Sequence, residues 1–294
     1  MRQAGPVNKG MNYIAAKTRG VYRHITHSLD LGHLVLIVGR ACNLKCKDCG
    51  NFCPDSPSQM MRYDIESIIG SLDIILKNAQ HIDSLQIQGG EPFLYSDLPE
   101  LLAFLRKQRK IKSIGFTSNG MVQPSDLILN EIKKDDRVKI SISDYRLSES
   151  PKGLSRRLEE MGIPVEYYNF AGHTGEWTDL GGFDIVPVDD AEMREHFETC
   201  AFNGCLTLED GELSYCSRAT KAYRLQGFMR NPDDYLIVSD EEGFKDRLRE
   251  FVRNRHAMEA CRYCNGTMKG EKIKPAVQKE TGGTADRMKI RGII

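Results

Sequence analysis

Cys42, Cys46 and Cys49 crowd one short stretch, ACNLKCKDCGNFCP, with Cys53 just beyond them. A structural zinc ion takes four ligands in a closed tetrahedron, typically from two separated CxxC knuckles, and three thiolates on one loop do not supply that. The same trio suits a cubane [4Fe–4S] cluster in which each sulfur holds one iron and the fourth iron stays open to bind another molecule. Cys53 as a fourth ligand would give a closed, electron-transfer cluster. Its place between Phe52 and Pro54 points instead to a chain that has already turned away.

A second set lies further on. Cys200 and Cys216 flank a turn at Glu209-Asp210-Gly211, which predicts a hairpin that brings the two together, and Cys261 and Cys264 form a CxxC knuckle. By spacing alone this arrangement could be a zinc ribbon. Cys205 is left over: a substitute for one of the four, an inert buried thiol, or a hydrogen-atom donor facing substrate. The nine cysteines of the 294-residue chain are an odd number and cannot all pair. With no apolar run of signal-peptide or membrane-spanning length, the expected location is the cytosol, where cysteines serve as ligands and catalysts more than as disulfides. Lys plus Arg equals Asp plus Glu at 41 each, so no global field draws the chain to nucleic acid. The expected partners are small molecules or proteins, with no nucleic acid and no membrane.

The elements that must position these residues alternate along the chain. Short apolar runs at His33–Val38, Ser84–Gln88, Ser113–Thr117, Val138–Ile142, Val165–Tyr168 and Phe183–Val188 predict strands. Amphipathic runs at Tyr63–Asn78, Asp97–Lys107, Ser125–Lys134 and Pro151–Met161 predict helices between the first five. The order implies a parallel α/β sheet, because each parallel crossover needs a helix to return the chain. The predicted fold is a partial (β/α)6 TIM-like barrel, with the loops after the strands gathered at one end to build the site. The expected division is an N-terminal helical extension over 1–32, the barrel over 33–190, a smaller cysteine-bearing module over 191–268, and a flexible, basic, Gly-rich tail over 269–294.

The first cysteines, CxxxCxxC after the first strand, resemble the mark of the radical S-adenosylmethionine (radical SAM) superfamily. GGEP at Gly89–Pro92 follows the second strand as that family's SAM-binding glycine motif does, and TSNG at Thr117–Gly120 follows the third. Asp48 stands where many members carry an aromatic residue, which alters packing beside the cluster and touches no ligand. The resemblance implies that Cys42, Cys46 and Cys49 hold a [4Fe–4S] cluster whose open iron chelates SAM. Reductive cleavage then gives a 5′-deoxyadenosyl radical that takes a hydrogen atom from substrate. It further implies that Gly89, Gly90, Glu91 and Pro92 meet the methionine end, with Cβ-less backbone approaching closely and Glu91 orienting the amino group. Ser118 and Asn119 would lie near the carboxylate or ribose, and Ser143 and Asp144 near a ribose hydroxyl, Asp144 being equally a turn or helix cap before Pro151.

Beside such a core the second set looks like the auxiliary [4Fe–4S] module known as the twitch domain, a shortened SPASM relative, with Cys200, Cys216, Cys261 and Cys264 as ligands. A flavodoxin or ferredoxin type of electron donor is implied. Twitch-bearing relatives of the 2-deoxy-scyllo-inosamine dehydrogenase type act on an aminocyclitol, and aminoglycoside epimerases use a thiol to return hydrogen. The resemblance therefore favours dehydrogenation or epimerisation of a sugar-like substrate, with Cys205, His173 or Asp144 in catalysis. In the loop NFAGHTGEWTDLGG, His173, Glu176, Trp177 and Asp179 offer hydrogen bonds, a stacking face and a proton acceptor, with Arg40 and Arg218 as further substrate contacts. Each is weighed against a solvated loop, a packing tryptophan or a surface salt bridge. Modification of a ribosomal peptide is the rival reaction, needing a leader-binding domain from another subunit; a non-catalytic metal-cluster adaptor is the rival class.

Overall fold

A computed structural model describes residues 29–170, 176–182, 186–220 and 231–279. Five strands alternate with four helices along the first part of the chain: β1 (Asp30–Ile37), α1 (Ile65–Asn78), β2 (His81–Gln88), α2 (Leu98–Lys107), β3 (Ile114–Ser118), α3 (Asp126–Lys133), β4 (Val138–Asp144), α4 (Ser150–Glu160) and β5 (Val165–Asn169). Asp64 and Ser125 cap α1 and α3 by accepting from the backbone N–H of Ser67 and Ile128. The mixed α/β architecture with a parallel sheet is the one that the alternation predicts.

The two faces of the sheet differ in chemistry, and that difference creates the site. Leu34, Leu36, Leu85, Ile87, Ile114, Phe116, Ile140 and Ile142 are buried in one core with Leu72, Ile75, Leu101, Leu105, Leu129, Leu154 and Leu158 of the helices. Parallel strands covered on both faces read as continuous apolar runs. On β2, β3 and β4 the alternate residues include Gln86, Gln88, Thr117 and Ser143, so this part of the second face is polar, and Gln88, Thr117 and Ser143 line a cavity with Val35 of β1. Gln86 Nε2 donates to Thr117 Oγ1 at 2.8 Å across two strands of that face.

The sheet does not stop at the fifth strand. β7 (Cys205–Glu209) lies parallel to β1, registering His33 with Cys205 and Ile37 with Glu209. β8 (Glu212–Ser214) and β9 (Tyr235–Ile237) add antiparallel strands, giving the order β5-β4-β3-β2-β1-β7-β8-β9. The sequence places a sixth strand at Phe183–Val188; its first three residues lie outside those described, and 186–188 are not strand. The sixth parallel strand is β7, on the side of β1 away from β2. Periodicity missed the pairing because β7 reaches β1 from the far end of the chain. The predicted hairpin at Asp210 and Gly211 is present as β7–β8, but it grows from the main sheet.

α5 (Asp190–Glu198) and α6 (Phe244–Arg253) complete the helices among the described residues. The helix expected over 11–30 lies outside them except for Leu29 and Asp30, and Asp30 opens β1. The tail expected from residue 269 differs in its first part. β10 (Lys272–Ile273) pairs antiparallel with β6 (Trp177–Thr178), and Gln278 bridges to Cys46. Composition could not reveal this, because the docking is made by backbone hydrogen bonds, which hydropathy does not register. No helix among the described residues is long and apolar enough to cross a membrane.

Candidate functional site

One cavity of about 360 Å³ opens between the two cysteine sets. Cys42, Cys46 and Cys49 line one part of it, Cys200, Cys205, Cys216 and Cys264 another. All nine cysteines are free thiols. Burial pushes the Cys42 thiol up to about 11, with Glu91, Cys49 and Cys46 adding like-charge repulsion. Burial likewise raises Cys46. In the second set, burial raises Cys216 to about 11 and Cys261 to about 12, and each feels Cys264 and Cys200. Cys205 is coupled to Cys200 and Arg255 instead. The structure thus gathers Cys200, Cys216, Cys261 and Cys264, with Cys205 at their margin.

Two glycines let the strand-end loops interlock. A Cβ on Gly89 would stand 2.0 Å from Gly39 O, and one on Gly90 2.0 Å from Ala41 O. Gly89 also holds φ +146°, a conformation that favours glycine. The expectation that these positions are bare for a ligand's sake is therefore incomplete: the chain's own β1 loop fills the space. Gly90 N donates to Gly39 O at 3.0 Å and Glu91 N to Ala41 O at 2.8 Å. Asn51 Nδ2 donates to Gly89 O at 2.8 Å, and the Cys53 thiol reaches the same carbonyl at 3.4 Å.

Glu91 is buried and faces its own protein. Its carboxylate accepts from Ser118 Oγ and Asn119 N, both at 2.9 Å, and from Phe93 N at 3.2 Å. It ties the β2 loop to the β3 loop and aims Ser118 and Asn119, which line the cavity, as Gly89 and Gly90 do. Pro92 is buried at the start of a short 3-10 turn. Burial raises Glu91 to about 7 against its hydrogen bonds. A carboxyl whose folded value exceeds its unfolded one stabilises the fold fully below about 4.5, and that contribution is lost as pH rises through about 7. The melting temperature of the wild type should therefore carry a downward component between those values that Glu91→Gln lacks, read by thermal melts across that range.

Of the other predicted residues, Ser143, Trp177 and Arg218 line the cavity. Arg218 Nη2 donates to Gly181 O at 2.9 Å and Tyr263 O at 3.1 Å, and its guanidinium lies 5.0 Å from the Phe52 ring. Asp144, fully buried, is not brought there: its carboxylate accepts from Tyr167 OH at 2.5 Å and Arg146 N at 2.8 Å. It follows Ser143 along a strand, so its side chain points to the opposite face. Arg40 is also fully buried, donating to Glu209 through Nε at 2.7 Å and Nη2 at 2.5 Å and to Asn51 O at 2.5 Å. Asp179 caps its own turn, accepting from Gly181 N at 2.8 Å, and neither it nor the exposed Glu176 lines the cavity. His173 lies outside the described residues.

Tyr145 was missed. It lines the cavity, packs edge-on against Trp177 with centroids 5.4 Å apart, and its hydroxyl is held well above the usual range by burial, against a hydrogen bond with Ser143. The available signal was its place in the stretch after β4. Thr207 of β7 lines the same space and was invisible without the β1–β7 register.

Strand-end loops carrying a cysteine trio, on a parallel sheet with one polar face, define a radical SAM domain, and residues 36–174 match the Radical SAM superfamily. That domain belongs to a family that uses S-adenosylmethionine and a [4Fe–4S] cluster. The chain's relatives include a probable GTP 3′,8-cyclase of Methanococcus aeolicus, 22% identical over 81% of this chain and 82% of that protein. The GTP 3′,8-cyclase of Chlorobaculum tepidum is 30% identical over 74% of this chain and 66% of its own length. The structure of BtrN in complex with AdoMet and 2-DOIA shares the fold, with a TM-score of 0.51 at 14% identity, over 84% of this chain and 98% of that one. Peptide-bound structures of anSMEcpe and SuiB are matched over 42% and 40% of their own lengths.

The residues fit the family's cofactors. Cys42, Cys46 and Cys49 on one cavity wall are a thiolate donor set that the cationic core of a cluster would suit, and the raised values of Cys42 and Cys46 mean that loading them releases protons.

Proposed function

We propose that this enzyme dehydrogenates or epimerises one carbon of a small hydroxylated ring, of sugar or aminocyclitol type, and holds two [4Fe–4S] clusters. Cys42, Cys46 and Cys49 hold the first, and Cys200, Cys216, Cys261 and Cys264 the second, on a twitch-like module spanning roughly 191–268. The observation that carries this reading is the shared cavity, in which both sulfur sets open onto one space. When bound, the first cluster and SAM supply a hydrogen-abstracting adenosyl radical, and the second cluster a one-electron acceptor.

The chain itself supplies placement. Ser118, Asn119 and the Gly89–Gly90 backbone form the wall beside the first trio, and the Tyr145–Trp177 pair gives a ring-sized apolar face with a polar edge at Ser143. Cys205 and Thr207 face the same space from β7. In epimerisation the Cys205 thiol gives its hydrogen atom to the carbon and must be restored by an external reductant; in dehydrogenation it is a bystander.

The curated relatives favour a second reading, cyclisation of GTP. A triphosphate asks for several converging cations, whereas Arg218 is the one charged residue among the described residues lining the cavity, and two of its bonds go to carbonyls. A neutral or amine-bearing polyol suits that lining better. The test is anaerobic turnover with both clusters loaded. Formation of 5′-deoxyadenosine should be stimulated by cyclitols and aminoglycosides and not by GTP; stimulation by GTP alone overturns the substrate class. In D2O an epimerase takes up solvent deuterium and Cys205→Ala stops turnover, whereas a dehydrogenase keeps its ketone product in both proteins.

A further inference from the structure

The stretch 271–279 lies against the loop that carries the first cysteine trio, and its contacts are specific. Lys47 N donates to Val277 O at 2.7 Å and Lys279 N to Lys45 O at 2.8 Å, framing the bridge between Cys46 and Gln278. Ala276, 2% exposed, packs with Leu44 and Cys46 in a small apolar cluster that Cys42, Cys49, Tyr145 and Trp177 border. It does so at φ +51°, in the left-handed region that an L side chain rarely adopts. Lys279 pairs with Asp55 on the far side of the loop. At the other end, Asp179 N donates to Glu271 O at 2.8 Å and β10 pairs with β6, which carries Trp177.

The Gln278 side chain is fully committed. Its Oε1 accepts from Lys45 N at 2.8 Å, and only the oxygen of an amide can accept. That contact fixes which way the amide faces. Nε2 then donates one hydrogen to Ala276 O at 2.7 Å and the other to Cys46 Sγ at 3.4 Å. The donor on sulfur is thus set by two backbone contacts that leave the amide no other orientation.

We propose that residues 271–279 form a strap that walls the first cluster from solvent, and that Gln278 is a positioning residue that hydrogen-bonds the Cys46 sulfur. This rests on the assignment of Cys42, Cys46 and Cys49 as that cluster's ligands. An N–H donor on a ligating sulfur draws off negative charge, and it favours the reduced, more negative cluster. Gln278 therefore sets the reduction potential without touching substrate. The same strap also pairs with β6, which carries Trp177.

The test is potentiometric EPR on the loaded protein, with the first cluster's signal identified by its change on adding SAM. Loss of that change in the wild type removes the ligand assignment itself and not the strap alone. With it present, Gln278→Leu, which keeps the bulk and removes the donor, should lower the midpoint potential at unchanged iron content, and Gln278→Glu should lower it further. Potentials equal to the wild type in both variants overturn the proposal. Should either variant fail to load, pulsed EPR of the reduced wild type, grown with side-chain 15N-labelled glutamine, decides: a 15N coupling is expected, and its absence overturns the hydrogen bond.

Discussion

Replacing Cys46 by alanine should halve the bound iron and depress 5′-deoxyadenosine formation by about 100-fold or more, since even partners of ligands cost 10–100-fold. Cys46 is 7% exposed, and its two neighbours Lys45 and Lys47 are both bonded to the strap. Two remaining thiolates, Cys42 and Cys49, leave two corners of a cubane without protein ligands, and the site loses the difference between three held irons and one open one. Cys261→Ala is the matched control: it should also lose iron while SAM cleavage persists, because Cys261 belongs to the other sulfur group. Iron and sulfide analysis beside chromatography of the nucleoside product checks both. Equal loss of cleavage in the two variants would mean that the sulfur sets do not hold separate clusters.

Glu209→Leu should destabilise the fold by about 3–5 kcal/mol, the usual cost of stripping one partner from a buried ion pair, which corresponds to a melting temperature lower by roughly 10 °C. Both side chains are 0% exposed. The Glu209 carboxylate takes two bonds from Arg40 and a third from Tyr63 OH at 2.8 Å. Without it, the Arg40 charge stays buried with only the Asn51 carbonyl to face. The consequences spread to the cavity, because Asn51 holds Gly89 O through Nδ2 and meets Ser217 Oγ at 3.3 Å through Oδ1. The double variant Arg40→Met/Glu209→Leu should recover most of the loss, since no uncompensated charge remains. Thermal melts of the two variants decide; a single variant melting with the wild type would show that the pair does not fasten β7 to the β1 loop.

The first half of the molecule was largely legible because its rules are local. Helix and strand periods and the Gly-Gly-Glu-Pro turn declare themselves within a few residues, and the cysteine trio declares its chemistry by spacing. Distance along the chain hid the rest. Arg40 is suggestive of substrate binding until Glu209, 169 positions later, arrives to neutralise it. Glu91 and Asp144 sit at the right strand ends, but which side chain there faces the cavity depends on the pleat: Ser143 faces in and Asp144 out, while Tyr145 swings back to line the site. Glu91 serves by holding Ser118 and Asn119. The strap was illegible for a different reason, since its anchors are peptide groups and one amide in a stretch whose composition suggests freedom.

The parallel seam between β1 and β7 has a consequence for synthesis. Residues 33–37 cannot complete their hydrogen bonding until residues 205–209 have been made, and at ribosomal rates of about 5–20 residues per second that interval is on the order of ten seconds or longer. Throughout it, an apolar strand at the middle of the finished sheet has one bare flank, able to pair with other nascent chains. Yield should therefore respond to chaperone supply and translation speed, and a chain halted before residue 205 should aggregate even though every βα unit it contains is complete.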